Sequence, residues 1–215
     1  MSNAHVDVLR RQVRVVMLLD AAESAGLVPL RILRLHAFAY LSNVLAPVWD
    51  MPVLNGRVLK RRGGPFYPDL QKDLDRLVGL GVVTISNVSH VQDESKRWRL
   101  EGAYRLNREF ADPILHALSN FSEERKLGTF IVELGYALSA LSDEELDRAF
   151  SEDATYSDPM VSVDNVIDFA DWRERNYSAN AAEKFDRVVP GGNATPGEKL
   201  HLYVRHLRRR INGEP

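Results

Sequence analysis

The residues best suited to chemistry begin with a loop at positions 192–199, which contains glycines, a threonine and a lysine as phosphate-binding loops do. A phosphate loop needs Gly-Lys-Ser/Thr after a strand, so that the lysine and the hydroxyl reach phosphate and magnesium together. Here Glu198 separates Gly197 from Lys199, and Leu200 follows the lysine. The sequence therefore predicts the start of a capped helix, with Thr195 and Glu198 forming the capping box.

The remaining candidates for catalysis or metal binding also lack the required spacing. His201 and His206 are five positions apart, whereas two zinc-binding histidines on one helical face are four apart with a glutamate between them. The chain has no cysteine, which excludes thiolate zinc sites, disulfides and a cysteine nucleophile. Two acidic pairs are typical of solvated helix faces: Glu144 with Glu145, and Asp168 with Asp171. We therefore expect a protein that is not an enzyme and uses no cofactor or metal; an unrecognised enzyme remains the third alternative.

Composition indicates a globular protein. The 215 residues are 45% hydrophobic and 27% charged, with a formal net charge of −2. The first residues lack the apolar block of a signal peptide, and no stretch reaches the 18 or more apolar residues of a membrane span. The expected location is the cytoplasm, with no membrane contact.

The N-terminal part predicts three helices followed by a β-hairpin. Apolar residues at positions 6, 9, 13, 16 and 17 indicate a helix over 7–25, which Gly26 ends. Pro29 suits the first turn of a second helix that runs to about Leu45, and the long connection 46–66 has room for a small hairpin. Pro68 and Asp69 begin a third helix, and two β-rich runs, 82–85 and 98–106, form the final hairpin.

Three helices followed by a hairpin are the arrangement of a winged helix, in which the third helix is the recognition helix and the hairpin is the wing. We assign this domain to residues 1–107. Residues 108–215 predict a helical domain, with an opening at Asp112-Pro113, an amphipathic helix capped by Ser122, a capping box at Ser142 and a helix over 164–187. The predicted fold class is thus mostly α, a winged helix followed by a helical C-terminal half.

Charge is unevenly distributed along the chain. Residues 1–62 have nine basic and four acidic side chains, a net charge of +5, and residues 63–107 are neutral. Residues 108–172 have four basic and 15 acidic side chains, a net charge of −11, and residues 173–215 have a net charge of +4. This pattern predicts an acidic middle, a basic C-terminal helix and docking faces for charged partners.

The basic residues that could hold nucleic acid or a protein partner fall in four places. They are Lys60, Arg61 and Arg62 in the loop, Lys72 and Arg76 on the third helix, Lys96, Arg97 and Arg99 in the wing, and Arg205, Arg208, Arg209 and Arg210 on the last helix. Because Asp69, Asp73 and Asp75 also lie on the third helix, its insertion into a DNA groove is disfavoured. Solvated surface charges and helix-dipole stabilisation explain such clusters equally well.

Residues 61–70, Arg-Arg-Gly-Gly-Pro-Phe-Tyr-Pro-Asp-Leu, and residues 73–81, Asp-Leu-Asp-Arg-Leu-Val-Gly-Leu-Gly, carry a family likeness. They resemble the small middle components of bacterial three-component anti-phage defence systems built around an SMC-like ABC ATPase, such as Lamassu. The resemblance covers about residues 7–107. It implies a non-catalytic adaptor that binds the ATPase and an effector subunit, with non-specific DNA contact left open. The alternative function is a winged-helix DNA-binding transcriptional regulator.

Overall fold

A computed structural model describes residues 3–52, 57–92, 96, 98–168, 176–187, 189 and 191–214. This part of the chain is mostly helical, as the sequence predicts. Its α-helices are α1 (Asn3–Ser24), α2 (Ile32–Val44), α3 (Pro68–Gly79), α4 (Arg108–Leu118), α5 (Ser122–Leu138), α6 (Asp143–Ala149), α7 (Tyr177–Glu183) and α8 (Pro196–Asn212). Its strands are β1 (Leu30–Arg31), β2 (Arg57–Arg61), β3 (Gly64–Phe66), β4 (Val83–Gln92), β5 (Trp98–Leu106) and β6 (Val166–Asp168). Short 3-10 helices span Ala46–Trp49 and Lys184–Arg187.

The first sheet joins the start of the chain to the predicted hairpin. Its strand order is β1-β5-β4, and both pairings are antiparallel. Leu30 pairs with Tyr104, and Val83 pairs with Leu106. The hairpin β4–β5 contains a register shift between Ser86 and Ser89. Such a shift bends a strand and increases its local twist. The predicted hairpin is therefore confirmed, with an irregularity that the sequence pattern does not reveal.

The second sheet connects the two halves of the chain. Its order is β3-β2-β6, so the small hairpin expected within residues 46–66 is present as β2–β3. The second half supplies β6, and Val58 pairs with Ile167 in antiparallel register. Both of those side chains are fully buried. A strand from residues 108–215 thus completes a sheet begun in residues 1–107.

A single apolar core also spans both halves. Fully buried members come from α1, α3, α5 and α8, among them Leu18, Leu74, Leu134 and Leu207. At Gly135 the helices α1 and α5 approach closely, since a Cβ there would lie 3.1 Å from the backbone oxygen of Ala21. The division at residue 107 stays a prediction. Residues 1–107 and 108–215 share one apolar core and one sheet, so they pack together as a single unit.

Besides α1, which begins at Asn3 and not at residue 7, three helical segments differ from the sequence prediction, the first at Pro29. The sequence places this proline in the first turn of the second helix. In the structure the Val28–Pro29 bond is cis, and Leu30 and Arg31 pair with β5 before α2 begins at Ile32. Sheet pairing therefore delays the helix by about three residues beyond the proline signal.

The second difference concerns α4, which begins at Arg108 and contains Pro113 in its interior. The sequence prediction instead starts this helix at Asp112-Pro113. The Arg108 guanidinium donates to Asp20 at 2.6 Å and to Glu23 at 2.8 Å, and both acceptors lie on α1. This anchor holds an extra turn of helix ahead of the proline, whose missing N–H would otherwise favour a later start.

The third difference lies in residues 164–187, which the sequence assigns to helix throughout. The structure has β6 at Val166–Asp168 and the seven-residue α7, which Asn176 caps through a bond from the Ala179 amide. Residues 169–175 lie outside the described part of the chain. Sheet pairing with β2 overrides the weak helical pattern around Val166.

Both capping boxes predicted from the sequence are confirmed. The Ser142 side chain accepts from the Glu145 amide, and Glu145 accepts in return from the Ser142 amide. Thr195 and Glu198 form the same reciprocal pair at the start of α8. The predicted amphipathic character of α5 is also confirmed, since Phe130, Ile131, Leu134 and Leu138 are buried. Ser122 is the first residue of α5 and does not cap it; the cap position is Phe121.

Ser142→Ala is expected to lower the free energy of unfolding by about 1 kcal/mol, because the Glu145 amide loses its acceptor. Urea unfolding followed by circular dichroism measures this change. The matched control is Ser139→Ala, whose exposed hydroxyl donates only to the Tyr136 carbonyl within its own helix. We expect the control to change stability by less than about 0.5 kcal/mol. Equal effects of the two substitutions would contradict a specific role for the cap.

Candidate functional site

The exposed face of α3 carries balanced charge, of which one cation is paired. Lys72 forms an ion pair with Asp69 at 3.3 Å, and Asp75 accepts from the Gln71 amide at 2.8 Å. Arg76 is exposed in the last turn of the helix. The face therefore offers a phosphate backbone little net positive charge.

Asp73, which the sequence placed among the carboxylates opposing DNA, belongs to the interior. It is 4% exposed and accepts from Arg11 of α1 at 2.8 Å. This ion pair fixes α3 against α1, so Asp73 does not contribute to the outer face of the helix. Groove insertion is thus opposed by two exposed aspartates on α3 and not by three.

The three predicted cations of the loop lie in different environments. Lys60 is 9% exposed, and its ammonium donates to the Asp158 carbonyl at 3.0 Å and lies over the Tyr156 ring. Burial lowers the pKa of Lys60. The Arg61 guanidinium stacks 3.9 Å from the centre of the Phe66 ring, and Arg62 is exposed. Lys60 consequently acts in packing, and Arg61 and Arg62 remain at the surface.

The hairpin presents apolar surface beside its basic residues. Lys96 is exposed, Arg97 lies outside the described residues, and the side chain of Arg99 is likewise not described. Trp98 is 69% exposed on β5, and Val88 is 53% exposed on β4. A large exposed aromatic side chain is more typical of a protein-binding surface than of a solvated hairpin.

Apolar side chains are also exposed where α3 ends. Leu80 follows the helix and is 59% exposed, and Phe110 of α4 is 50% exposed. The Phe110 ring lies next to Gly81, whose φ of +75° turns the chain from α3 into β4. We call Leu80 and Phe110 the exit patch. The sequence contains both residues in a helical context, but only the fold brings them to one end of α3.

The basic C-terminal helix is partly neutralised. Arg208 bonds Glu145 at 3.0 Å and Arg210 lies 3.6 Å from Glu152, whereas Arg205 and Arg209 are exposed on α8. The four predicted arginines therefore do not form one uniformly available basic surface.

The acidic middle of the chain is paired with basic residues from elsewhere. The closest pair joins Arg34 of α2 to Asp143 and Asp147 of α6, at 2.7 and 2.6 Å. Further pairs of the same kind are Arg57–Asp168, His201–Glu133, Arg208–Glu145 and Arg210–Glu152. Bonds to Glu145 from the Ser142 amide, then from Asn212 and Arg208, lower its pKa to about 2. Charge that is segregated along the sequence is thus extensively cross-paired in space.

A cavity that the sequence did not predict lies between α1, the starts of α3 and α5, and the second sheet. Its volume is about 1020 Å³. Apolar side chains including Leu59, Leu70, Leu127 and Val166 line it, together with arginines from α1. The sequence signal for it is Arg14, which interrupts the apolar run Val13–Leu19 on the buried side of α1.

Arg14 is an unusual member of the cavity wall, since it is 3% exposed. Its Nη2 donates to the Ser42 hydroxyl at 2.8 Å, whereas Nη1 has no hydrogen-bond partner among the described residues. Burial lowers the pKa of Arg14 to about 9, and nearby Tyr67 and Glu124 offset only part of that shift. A buried guanidinium without a bonded carboxylate is energetically costly, so it marks this cavity as a candidate binding site.

Three searches gave negative results. Within the described ranges, no group of three or more His, Asp or Glu side chains could hold a metal ion. No helix among the described residues is both long enough and apolar enough to cross a bilayer. Comparison with protein-family models, curated proteins and solved structures gave no match for this chain.

Proposed function

We propose that this chain is a non-catalytic adaptor subunit, built on an N-terminal winged helix, that binds an SMC-like ABC ATPase and an effector in an anti-phage defence complex. The observation that carries the proposal is the character of the α3 face. Its two exposed aspartates balance Lys72 and Arg76, Lys72 is paired with Asp69, and the exit patch at its end exposes Leu80 and Phe110. Such a surface fits a protein partner better than a DNA groove.

The topology supports the winged-helix part of the proposal. Helices α1, α2 and α3 precede the hairpin β4–β5, and the short strand β1 completes a sheet of order β1-β5-β4. A winged helix has this element order. The β2–β3 hairpin is an insertion between α2 and α3, where it pairs with β6 from the second half. Because one fold serves DNA, RNA and protein binding, the assignment of a partner depends on the exposed residues.

Leu80→Asp combined with Phe110→Asp is expected to weaken binding to the ATPase at least about tenfold, because interface aromatic and aliphatic anchors supply much of the binding energy. Binding is measured by biolayer interferometry with an SMC-like ATPase encoded by a gene that neighbours the gene of this chain. The matched control is Phe121→Asp, which changes another exposed phenylalanine at the start of α5. Equal affinities of the double variant and the wild type would exclude the exit patch as the binding surface.

A salt-titrated duplex-binding assay separates the adaptor from the alternative, a DNA-binding regulator. A regulator acting alone should bind duplex DNA with an affinity that falls steeply as salt rises. The adaptor is expected to show no stable binding of its own, because Lys60 is buried and Lys72 is paired. Tight binding by the isolated chain, lost on Arg76→Ala, would favour the regulator.

A further inference from the structure

The floor of the cavity contains a cation that the described residues leave without a bonded counter-ion. Arg11 and Arg57, which also line the cavity, each form a salt bridge, at 2.8 Å with Asp73 and at 2.9 Å with Asp168. Arg14 is more deeply buried than either, yet its hydrogen bond is to the neutral hydroxyl of Ser42. The most desolvated positive charge of the cavity thus lacks an ionic partner among the described residues, as does Arg10, which is exposed at the cavity.

The size and walls of the cavity suit a small organic molecule. Its volume of about 1020 Å³ far exceeds the space that an inorganic ion fills and lies at the upper end of the range for small-molecule sites. Leu59, Leu70 and Leu127 provide apolar contact surface. A ligand with an apolar body and one anionic group would match both the walls and Arg14.

Carboxylates at the cavity restrict which anions fit. Glu123 and Glu124 from the first turn of α5, with Asp7 and Asp69, also line it. Glu124 is the carboxylate that acts electrostatically on Arg14, although it forms no salt bridge with it in the described part of the chain. A highly charged polyanion would be repelled by these groups, whereas a ligand with a single carboxylate or phosphate monoester would not.

We propose that this cavity binds a small amphipathic organic anion, whose carboxylate or phosphate group is held by Arg14 and whose apolar part lies against the leucines. This site is independent of the proposed adaptor function, since the exit patch contributes no residue to it. An anionic group at Arg14 would supply the counter-ion that the buried guanidinium lacks and would thereby stabilise the folded protein.

The test is a titration of the full chain with benzoate and with phenyl phosphate, followed by isothermal calorimetry and thermal unfolding. The neutral analogue benzyl alcohol and inorganic phosphate are the comparison probes. We expect at least one aromatic anion to bind and to raise the Tm by about 4 °C at a concentration of about ten times its Kd. Its affinity should exceed the affinities of benzyl alcohol and of inorganic phosphate by at least about tenfold. Preference for benzoate identifies a carboxylate ligand, and preference for phenyl phosphate identifies a phosphate ester.

Variants assign the binding to the cavity. Arg14→Met is expected to weaken binding of the preferred anion at least tenfold. The control Arg62→Met changes an exposed arginine outside the cavity and should leave the Kd of that anion unchanged. Glu124→Gln is expected to tighten binding about threefold or more, because it removes a carboxylate that competes for Arg14. Should Arg14→Met not fold, the Glu124→Gln result alone decides. Absence of binding by both aromatic anions, or an unchanged or weaker Kd in Glu124→Gln, would overturn the proposal.

Discussion

Asp153→Ala is expected to lower the free energy of unfolding by about 3–5 kcal/mol. The Asp153 side chain is fully buried. Its Oδ1 accepts from the Tyr40 hydroxyl at 2.6 Å and from the backbone amides of Thr155 and Tyr156 at 3.0 Å. Its Oδ2 accepts from the hydroxyls of Ser178 and Tyr203, each at 2.7 Å.

The size of this effect follows from where the donors lie. Tyr40 belongs to α2, Ser178 to α7 and Tyr203 to α8, so one carboxyl group ties α2 to two helices near the other end of the chain. Removing it would leave several buried donors without an acceptor, which costs more than the bonds themselves contribute.

Two further variants separate the network from a general effect of lost charge. Asp153→Asn keeps one oxygen acceptor, and its amide can donate to hydroxyls, so we expect about half the loss seen for alanine. Glu144→Ala removes an exposed carboxylate on α6 and should change stability by less than about 0.5 kcal/mol. Urea unfolding curves give all three values. A loss below about 1 kcal/mol for Asp153→Ala would contradict the structural role of this network.

Stability is expected to fall by up to about 3 kcal/mol as the pH decreases from 6.5 to 4, because His36 is buried in its neutral form. His36 is fully buried on α2, and its Nδ1 accepts from the Tyr67 amide at 3.2 Å. Burial lowers the pKa of His36 from 6.5 to about 4, and a hydrogen bond with Gln71 offsets part of this shift. The amide nitrogen of Gln71 donates to Asp75.

The sign of the pH dependence follows from proton binding in the two states. Between pH 4 and 6.5 the unfolded chain binds a proton at His36 and the folded protein does not. The contribution of neutral His36 to the free energy of unfolding is therefore complete above pH 6.5 and decreases as the pH falls. His206 adds a smaller change of the same sign, since burial and then Arg210 and Arg209 lower its pKa.

His36→Asn tests this assignment, because an asparagine oxygen can replace Nδ1 as the acceptor for the Tyr67 amide while being unable to titrate. In urea unfolding at a series of pH values, this variant should lose much less free energy of unfolding between pH 6.5 and 4.5 than the wild type does. His90→Asn, at an exposed position on β4, is the control and should retain the wild-type profile. The same profile for His36→Asn as for wild type would refute a role for His36.

The features that the sequence predicts well are those set by neighbouring residues. The capping boxes at Ser142 and Thr195, the proline at the start of α3 and the glycine that ends α1 each act within a few positions. Hydrophobic periodicity likewise identifies the buried face of α5. Local chemistry thus determines most helix positions and the β4–β5 hairpin.

The features that escape sequence analysis depend on contacts between distant residues. The pairing of β6 with β2 joins residues 111 positions apart, as for Arg57 and Asp168. The bond between Tyr40 and Asp153 likewise spans 113 positions. The separation of acidic and basic segments along the chain suggested separate docking faces, but Arg34 and Arg208 pair with acidic residues of the middle segment. Lys60 likewise has the sequence context of a surface cation, but a contact with the distant Asp158 holds it in a buried position.

Arg14 illustrates how a local irregularity can still signal function. A guanidinium within the apolar run of α1 is unfavourable for packing, and the fold provides no carboxylate bonded to it among the described residues. Its hydrogen bond to the neutral Ser42 hydroxyl does not balance the buried charge, which makes Arg14 a candidate for binding. The sequence contains that signal, but only the cavity around Arg14 explains what it could bind.

The adaptor proposal is tested most directly by co-expressing this chain with the proteins encoded beside it and measuring the mass of the purified assembly. The account predicts a stable complex that contains an SMC-like ATPase and withstands gel filtration. It further predicts that Leu80→Asp with Phe110→Asp dissociates this complex, whereas Phe121→Asp does not. Elution of the wild-type chain free of any ATPase, together with salt-sensitive binding to duplex DNA by the isolated chain, would contradict the account.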